Sequence, residues 1–426
     1  MESSFVPQLV TSAILIVVMV HVILGGCAYA ILAERKISAW IQDRVGPNRV
    51  GPKGLLQPIA DGLKFFLKED YTPRNVEKLL FTLAPAFAVI PALIAFAAIP
   101  WGGTLELSSL PFGLAEWLGV EDQTVQIVGA NINVGVIYML AVGAMGVYGI
   151  ALGGWASNNK YTFLGGMRAS AQMISYEIPM GVAILAVILL SGTLDLTTIV
   201  TTQRESGWFI LQLPVAAVLY YICRLAECNR APFDLAEAEQ ELVGGYHTEY
   251  SSMRFALFFL GEYAHMITGA ALFAVLFLGG WSLNPLPFGP DLPTEGGLLL
   301  ILLQVAVVLA KAGLIVCFDM VVRWSVPRFR FDQLMRLSWE GLIPISLVVL
   351  LATSIMVFMG WHQYTWVASL ATIAIVYAIS PILGRESNPN PRIPMIGSRF
   401  SPMSDHERPV AASEQLAFAE SVGDDR

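Results

Sequence analysis

The sequence predicts an all-α, polytopic integral membrane protein of about nine transmembrane helices, with an amphipathic helix on the cytoplasmic side after the first. Three observations carry that prediction. Hydrophobic residues make up 55% of the 426, and Asp, Glu, Lys and Arg only 14%, where an ordinary soluble domain carries about 25% charge. Mean hydropathy is +0.63, so charge is too sparse to cover a water-soluble surface of this size. Apolar runs of the roughly 20 residues that cross a hydrocarbon core recur near 9–33, 80–101, 132–154, 170–191, 208–228, 255–281, 298–322, 340–360 and 366–384.

The first run could be mistaken for a signal peptide, but no Lys or Arg precedes Arg35 and the run exceeds a signal h-region, so it reads as a retained helix. Pro-Gly-rich connectors such as Asn284-Pro285-Leu286-Pro287-Phe288-Gly289-Pro290 mark loop ends. The last run is separated from the eighth only by Trp361 to Thr365. Charge decides for nine. With nine spans, every Lys and Arg except Arg204 and Lys311 falls on one side, which the positive-inside rule makes cytoplasmic. The N-terminus is then outside and the C-terminus inside. Residues 1–384 form the membrane domain, and the Pro-, Ser-, Glu- and Arg-containing stretch 385–426 reads as a disordered cytoplasmic tail.

Several classes are excluded. With 25 Lys and Arg against 33 Asp and Glu, and no basic run, a nucleic-acid binder does not fit. Cys27, Cys223, Cys228 and Cys317 form no Cys-x-x-Cys pair for a cluster, zinc site or disulfide framework. His21 and His265 are the histidines inside apolar runs, and they read as satisfied intramembrane side chains rather than haem ligands. The chain is expected to carry no flavin, haem or iron–sulfur cluster of its own.

Two cytoplasmic loops carry the chemistry. In the first, Gly46-Pro47 and Gly51-Pro52 demand sharp, stiff turns beside Arg35, Arg44 and Arg49. Leu55, Ile59, Leu63, Phe66 and Leu67 then recur at helical spacing, opposed by Gln57, Asp61, Lys64 and Lys68. That pattern predicts an interfacial amphipathic helix over 54–70, which either rests on lipid or forms a lip along which an amphiphile slides into a polar pocket. The loop over 229–253 is acidic. If it is helical from Asp234, then Asp234, Glu237 and Glu241 share a face. Crowded carboxylates resist joint ionisation and can pass protons, whereas a capping box would explain Asp234 and Glu237 alone. Within the spans, Glu177, Glu262, Lys311 and Asp319 are ionisable groups at membrane depth, where charge is costly and usually functional. Glu227 ends the fifth span, so carboxylates run from the cytoplasmic loops into the bilayer.

Glu34-Arg35-Lys36, Arg44-Val45-Gly46-Pro47-Asn48-Arg49, Ser175-Tyr176-Glu177, the Glu227–Glu249 loop and Val326-Pro327-Arg328-Phe329-Arg330-Phe331-Asp332-Gln333-Leu334 together carry a likeness. The sequence resembles the family of the quinone-chamber membrane subunit (the H type) of NADH:quinone oxidoreductase, respiratory complex I. The likeness spans roughly residues 10–345. It implies a bacterial inner-membrane subunit of a proton-pumping translocase that docks a peripheral arm holding flavin and iron–sulfur clusters. Its other neighbours would be small membrane subunits and antiporter-like subunits, with ubiquinone or menaquinone as substrate. Arg35, Gln42, Arg44, Phe259 and Arg323 would line or support the quinone chamber. Asp234, Glu237, Glu239, Glu241 and Glu249 would form the coupling loop, continued by Glu227, Glu262 and Glu177 toward the antiporter-like partners. Phe331 stands where many relatives have tyrosine, so no hydroxyl role attaches to it. Homologous subunits of membrane-bound hydrogenases and formate hydrogenlyases share this fold. A free-standing proton or cation transporter is the reading from another class, and the absence of an evident internal repeat counts against it.

Overall fold

The computed structural model describes residues 5–109, 123–235 and 239–379. Residues up to 374 form one compact unit, and of a second unit that begins at Ile375 only 375–379 are described. The predicted boundary at 384/385 and the tail beyond it lie outside the described residues.

Among the described residues the chain is mostly helical, and seven helices are long and apolar enough to cross a membrane. Helix α1 (Phe5–Ile41) has 37 residues, about 55 Å at 1.5 Å per residue. It outruns a hydrocarbon core by several turns, which carries Glu34-Arg35-Lys36 past the apolar stretch. Helix α2 spans Gln57–Leu67, within the predicted 54–70. Ile59, Leu63, Phe66 and Leu67 are all exposed, an apolar face left open among the described residues. The connection from α1 is held by glycine: a side chain on Gly54, whose φ is +81°, would stand 2.2 Å from the Pro47 carbonyl oxygen, so only glycine permits that approach.

Helices α3 (Lys78–Ala95), α4 (Gly135–Ala156), α5 (Lys160–Ser191), α8 (Ser252–Phe277) and α9 (Leu298–Ser325) form the bundle with α1. Close approach through small residues builds it, as is usual between membrane helices. A methyl on Gly149 of α4 would stand 2.5 Å from the backbone nitrogen of Ala88 in α3, and one on Gly154 would stand 2.7 Å from the Thr162 carbonyl in α5. Helix α8 is the most enclosed, with Ala264, Ala270, Ala271, Ala274, Val275, Leu276 and Phe277 all fully buried.

The sequence reading and the structure part at two places. The predicted fifth span is split: a single turn (Phe209–Gln212) is followed by α7 (Pro214–Glu227), of 14 residues. Pro214 lacks the N–H that would continue the earlier turn and takes the first position of the new helix instead. The predicted ninth span is helical as α11 (Thr365–Ile379) over 15 described residues. Among the described residues neither reaches the length of the other seven. The end of the predicted second span, Pro100 and Trp101, is strand: β1 (Pro100–Glu106) pairs antiparallel with β2 (Thr124–Val128) and parallel with β3 (Glu295–Gly296). Helix α6 (Leu196–Ser206) is capped by Asp195, which accepts from the N–H groups of Thr197 and Thr198. Helix α10 (Phe331–Phe358) contains a π turn at Leu337–Leu342, where Ser338 and Trp339 donate to the carbonyl and hydroxyl of Ser175.

Candidate functional site: a lateral cavity beside a line of carboxylates

Between α1, α2 and α8 lies a cavity of about 500 Å³, within the usual size of a small-molecule site. Leu24 and Ile31 of α1, Phe65 of α2, and Phe255 and Phe259 of α8 supply its apolar wall. Its polar residues fall into two groups. Glu34 accepts hydrogen bonds from the Arg323 guanidinium and from the Tyr263 hydroxyl, the latter at 2.6 Å. Arg35 is paired with Asp61 of α2 at 2.8 Å, and Asp61 also accepts from Gln57 at 3.1 Å. Most of the cavity wall is apolar, with the charged groups of Glu34, Arg35, Asp61, Arg230 and Arg323 among its lining.

Arg230 joins Glu34 to the interior. Its guanidinium lies 4.0 Å from Glu34 and 3.5 Å from Glu262, and sits 4.2 Å over the Tyr263 ring. Arg230 and Glu262 are both buried. Glu262 in turn accepts from the Tyr246 hydroxyl at 2.7 Å. Beneath it is a second, small cavity of about 20 Å³ lined by Glu262, His265, Tyr246, Gly146 and Glu227. That is about the volume one water needs. Glu177 of α5 lies close enough to Glu227 to act on it electrostatically. The order Glu34, Arg230, Glu262, Glu227, Glu177 therefore descends from the cavity into the bundle, built from α1, the α7–α8 loop, α8, the end of α7 and α5.

The acidic loop is arranged differently from the helical row considered from sequence. Asp234 lies outside any helix and Leu235 in a turn, and the α-helix described in this loop is one turn, Glu239–Leu242. Asp234 points inward, buried, with Arg328 at 3.1 Å. Glu241 is exposed and pairs with Arg168 at 2.6 Å. Glu249 accepts from Asn159 at 2.7 Å. Glu237 and the side chain of Glu239 lie outside the described residues. Gln42 and Arg44 bond to each other at 2.7 Å on the exposed surface just past α1 and are not among the residues lining the cavity, whereas Arg35, Phe259 and Arg323 are.

The family model described as NADH dehydrogenase matches residues 14–354. The chain belongs to the NADH dehydrogenase family. It is 47% identical over 346 residues to an H-type subunit of NADH-quinone oxidoreductase from Geobacter sulfurreducens, covering 80% of this chain and 93% of that one. It is 49% identical to the H-type subunit of the same enzyme from Leptospira biflexa (78% and 91% covered) and 42% identical to that from Flavobacterium johnsoniae (83% and 96% covered). The part that matches the NADH dehydrogenase family starts within α1 and ends within α10, so it contains the cavity and the whole carboxylate line.

Sequence reasoning on this NADH dehydrogenase family chain misses the connectors. It gives no role to Glu34, Asp61, Arg230, Tyr246, Tyr263 or His265, although Glu34 and Asp61 sit inside the loop-one pattern. His265 follows Glu262 by three residues within one helix, the spacing of one face. That interval is the available signal.

Proposed function

We propose that this chain is the quinone-chamber membrane subunit of a proton-pumping NADH:quinone oxidoreductase. It spans the membrane nine times and works with a peripheral arm on the cytoplasmic side and antiporter-like subunits within the membrane. The observation that carries the reading is the lateral cavity between α1, α2 and α8, whose residue Glu34 is joined through Arg230 to the buried carboxylate of Glu262. The relatives' names add the reaction class. The broken fifth helix and α11 are the two further crossings, and the one-sided distribution of Lys and Arg makes the face bearing α2 cytoplasmic.

A quinone enters from lipid past the exposed face of α2, its tail held by Leu24, Ile31, Phe65 and Phe259. Two electrons from the peripheral arm and two protons convert it to quinol. Negative charge building on the headgroup attracts the guanidiniums of Arg323 and Arg230. Arg230 stands between Glu34 and Glu262, so a shift toward either changes the countercharge on the other. At an effective dielectric of about 20, a unit charge 4 Å away is worth about 4 kcal/mol, enough to decide whether Glu262 holds a proton. Glu262, Glu227 and Glu177 then hand that change deeper into the bundle, while Asp234, Glu237, Glu239, Glu241 and Glu249 set the charge of the loop that faces the arm.

The test is inhibitor-sensitive NADH:quinone reductase activity in membranes carrying Arg35→Ala or Glu262→Gln, with assembly followed on native gels. Assembled complex that keeps NADH oxidation by an artificial acceptor but loses at least tenfold in quinone reduction is expected. Unchanged quinone reduction and unchanged pumping in both variants would point instead to the hydrogenase-type or purely anchoring role.

A further inference from the structure

The carboxylate line is interrupted once. Glu262 lies on α8 and Glu227 at the end of α7, and the small cavity of about 20 Å³ separates them. His265 lines that cavity. It is one helical turn beyond Glu262 on the same face of α8. Its Nε2 is sealed from solvent and has no hydrogen-bond partner among the described residues.

Helix α4 makes room for it. A methyl on Gly146 would stand 2.8 Å from His265 Nε2, and one on Gly143, a turn earlier, would stand 3.2 Å from Glu227 Oε1. Two glycines three residues apart thus give the imidazole and the carboxylate a common bare strip of α4. Packing alone does not call for an imidazole here, because an apolar side chain would fill the space without leaving a buried nitrogen unpaired.

We infer that His265 carries the proton between Glu262 and Glu227, through one water in the cavity beside Gly146. This rests on the proposed function above and adds a carrier to it. As the O–H bond at Glu262 breaks, an N–H bond forms at Nε2. That N–H bond then breaks as an O–H bond forms at Glu227. One proton moves and no electrons do. The ionisable groups facing the cavity are Glu262 and His265 from α8, Glu227 from α7, and Cys228 and Tyr246 from the following loop. Among the described residues, helices α3, α4 and α5 present Ala88, Gly146, Ile150 and Met173 to it and no ionisable group, Glu177 lying beyond Glu227.

The experiment compares His265→Asn, Gly146→Ala and Glu262→Gln in the assembled complex, reading quinone reductase rate, its pH profile and protons pumped per electron. Asparagine keeps a hydrogen-bonding side chain of similar reach that cannot carry a proton. Its rate is expected to fall about tenfold to a hundredfold, the range for loss of one proton-transferring group. Its pH profile should lose one limb, and His265→Glu should restore part of both. If His265→Asn fails to assemble, Gly146→Ala, which keeps the imidazole but crowds Nε2, is expected to slow turnover with the same flattened profile. A wild-type rate, profile and pumping ratio in His265→Asn, or in Gly146→Ala when it alone assembles, overturns the inference. Glu262→Gln separates the two failures: if it is inactive while His265→Asn is normal, only the histidine falls, and if both are normal the relay itself does.

Discussion

Arg224 and Asp319 show how charge is kept in this bundle. Their side chains form an ion pair at 2.5 Å with exposures of 1% and 2%, and Arg224 also donates to the Met266 carbonyl at 3.1 Å. The pair ties α7 to α9 across α8, and it fits because residue 269 is glycine: a methyl there would stand 2.7 Å from the Arg224 side chain. Removing one member of a buried pair typically costs about 3–5 kcal/mol, whereas exchanging both for packed apolar groups is often neutral. Arg224→Ala is therefore expected to lower the thermal stability of the detergent-solubilised protein sharply, and Arg224→Met with Asp319→Leu to recover most of it. A double variant as unstable as the single one would show that α7 needs the charges themselves. In the sequence, Asp319 is visible as an intramembrane carboxylate, but its partner lies 95 residues away and periodicity does not report such pairings. Glu34 and Arg323, 289 residues apart, are hidden for the same reason.

Elements are more legible than pairings, because the period of a helix is written in neighbouring residues. The seven long helices and α2 follow from apolar spacing alone. The strand sheet does not, since Pro100-Trp101-Gly102-Gly103 continues an apolar run and only the pairing with Thr124–Val128 and Glu295–Gly296 reveals its backbone. The split before Pro214 is available in the residue itself but is masked by the length of the run. Near the same end, α6 and the loop after α8 are joined by Arg204 and Asp291 at 3.1 Å. Burial pushes the Asp291 carboxyl up, but hydrogen bonds from the N–H groups of Leu283 and Leu292, from Ser282 and from Arg204 outweigh it and hold it below the ordinary value. A folded-state value that is depressed adds stability above the unfolded value, and that stability is lost as pH falls through the folded one. The melting temperature should accordingly drop on acidification below about pH 4, and Asp291→Asn should lack that component. Identical acid profiles for both proteins would remove the pair from the account of this loop.

At the scale of the whole molecule the two halves of the site sit on elements that are distant in the chain, and the cavity exists only where α1, α2 and α8 meet. A photoreactive quinone with an isoprenoid tail, added to membranes holding the complete complex, is expected to label peptides from Leu24–Ile31, Pro58–Phe65 and Phe255–Leu260, as read by mass spectrometry. Excess unlabelled quinone should suppress that labelling. Labels confined to other helices would move the entrance elsewhere. The resemblance in the motifs raises the expectation of a chamber in general terms. What it cannot foretell is Arg230, a single cation between two carboxylates, because its importance is positional and its neighbours in sequence give no hint of it.

The small sheet at the far end of the bundle has a consequence of its own. Trp101 is 1% exposed, and Gln304 of α9 bolts the sheet down, accepting from the Gly103 N–H at 2.7 Å and donating to the Pro293 carbonyl at 2.6 Å. In the proposed orientation this is the outer face. A conductor for protons that opened at both ends would short-circuit a membrane. Under the proposed function, the paired strands and the buried Trp101 would close the outer end against such a leak. Insulation of this kind would need no moving part, and acid groups could then reach deep into the bilayer without a short circuit.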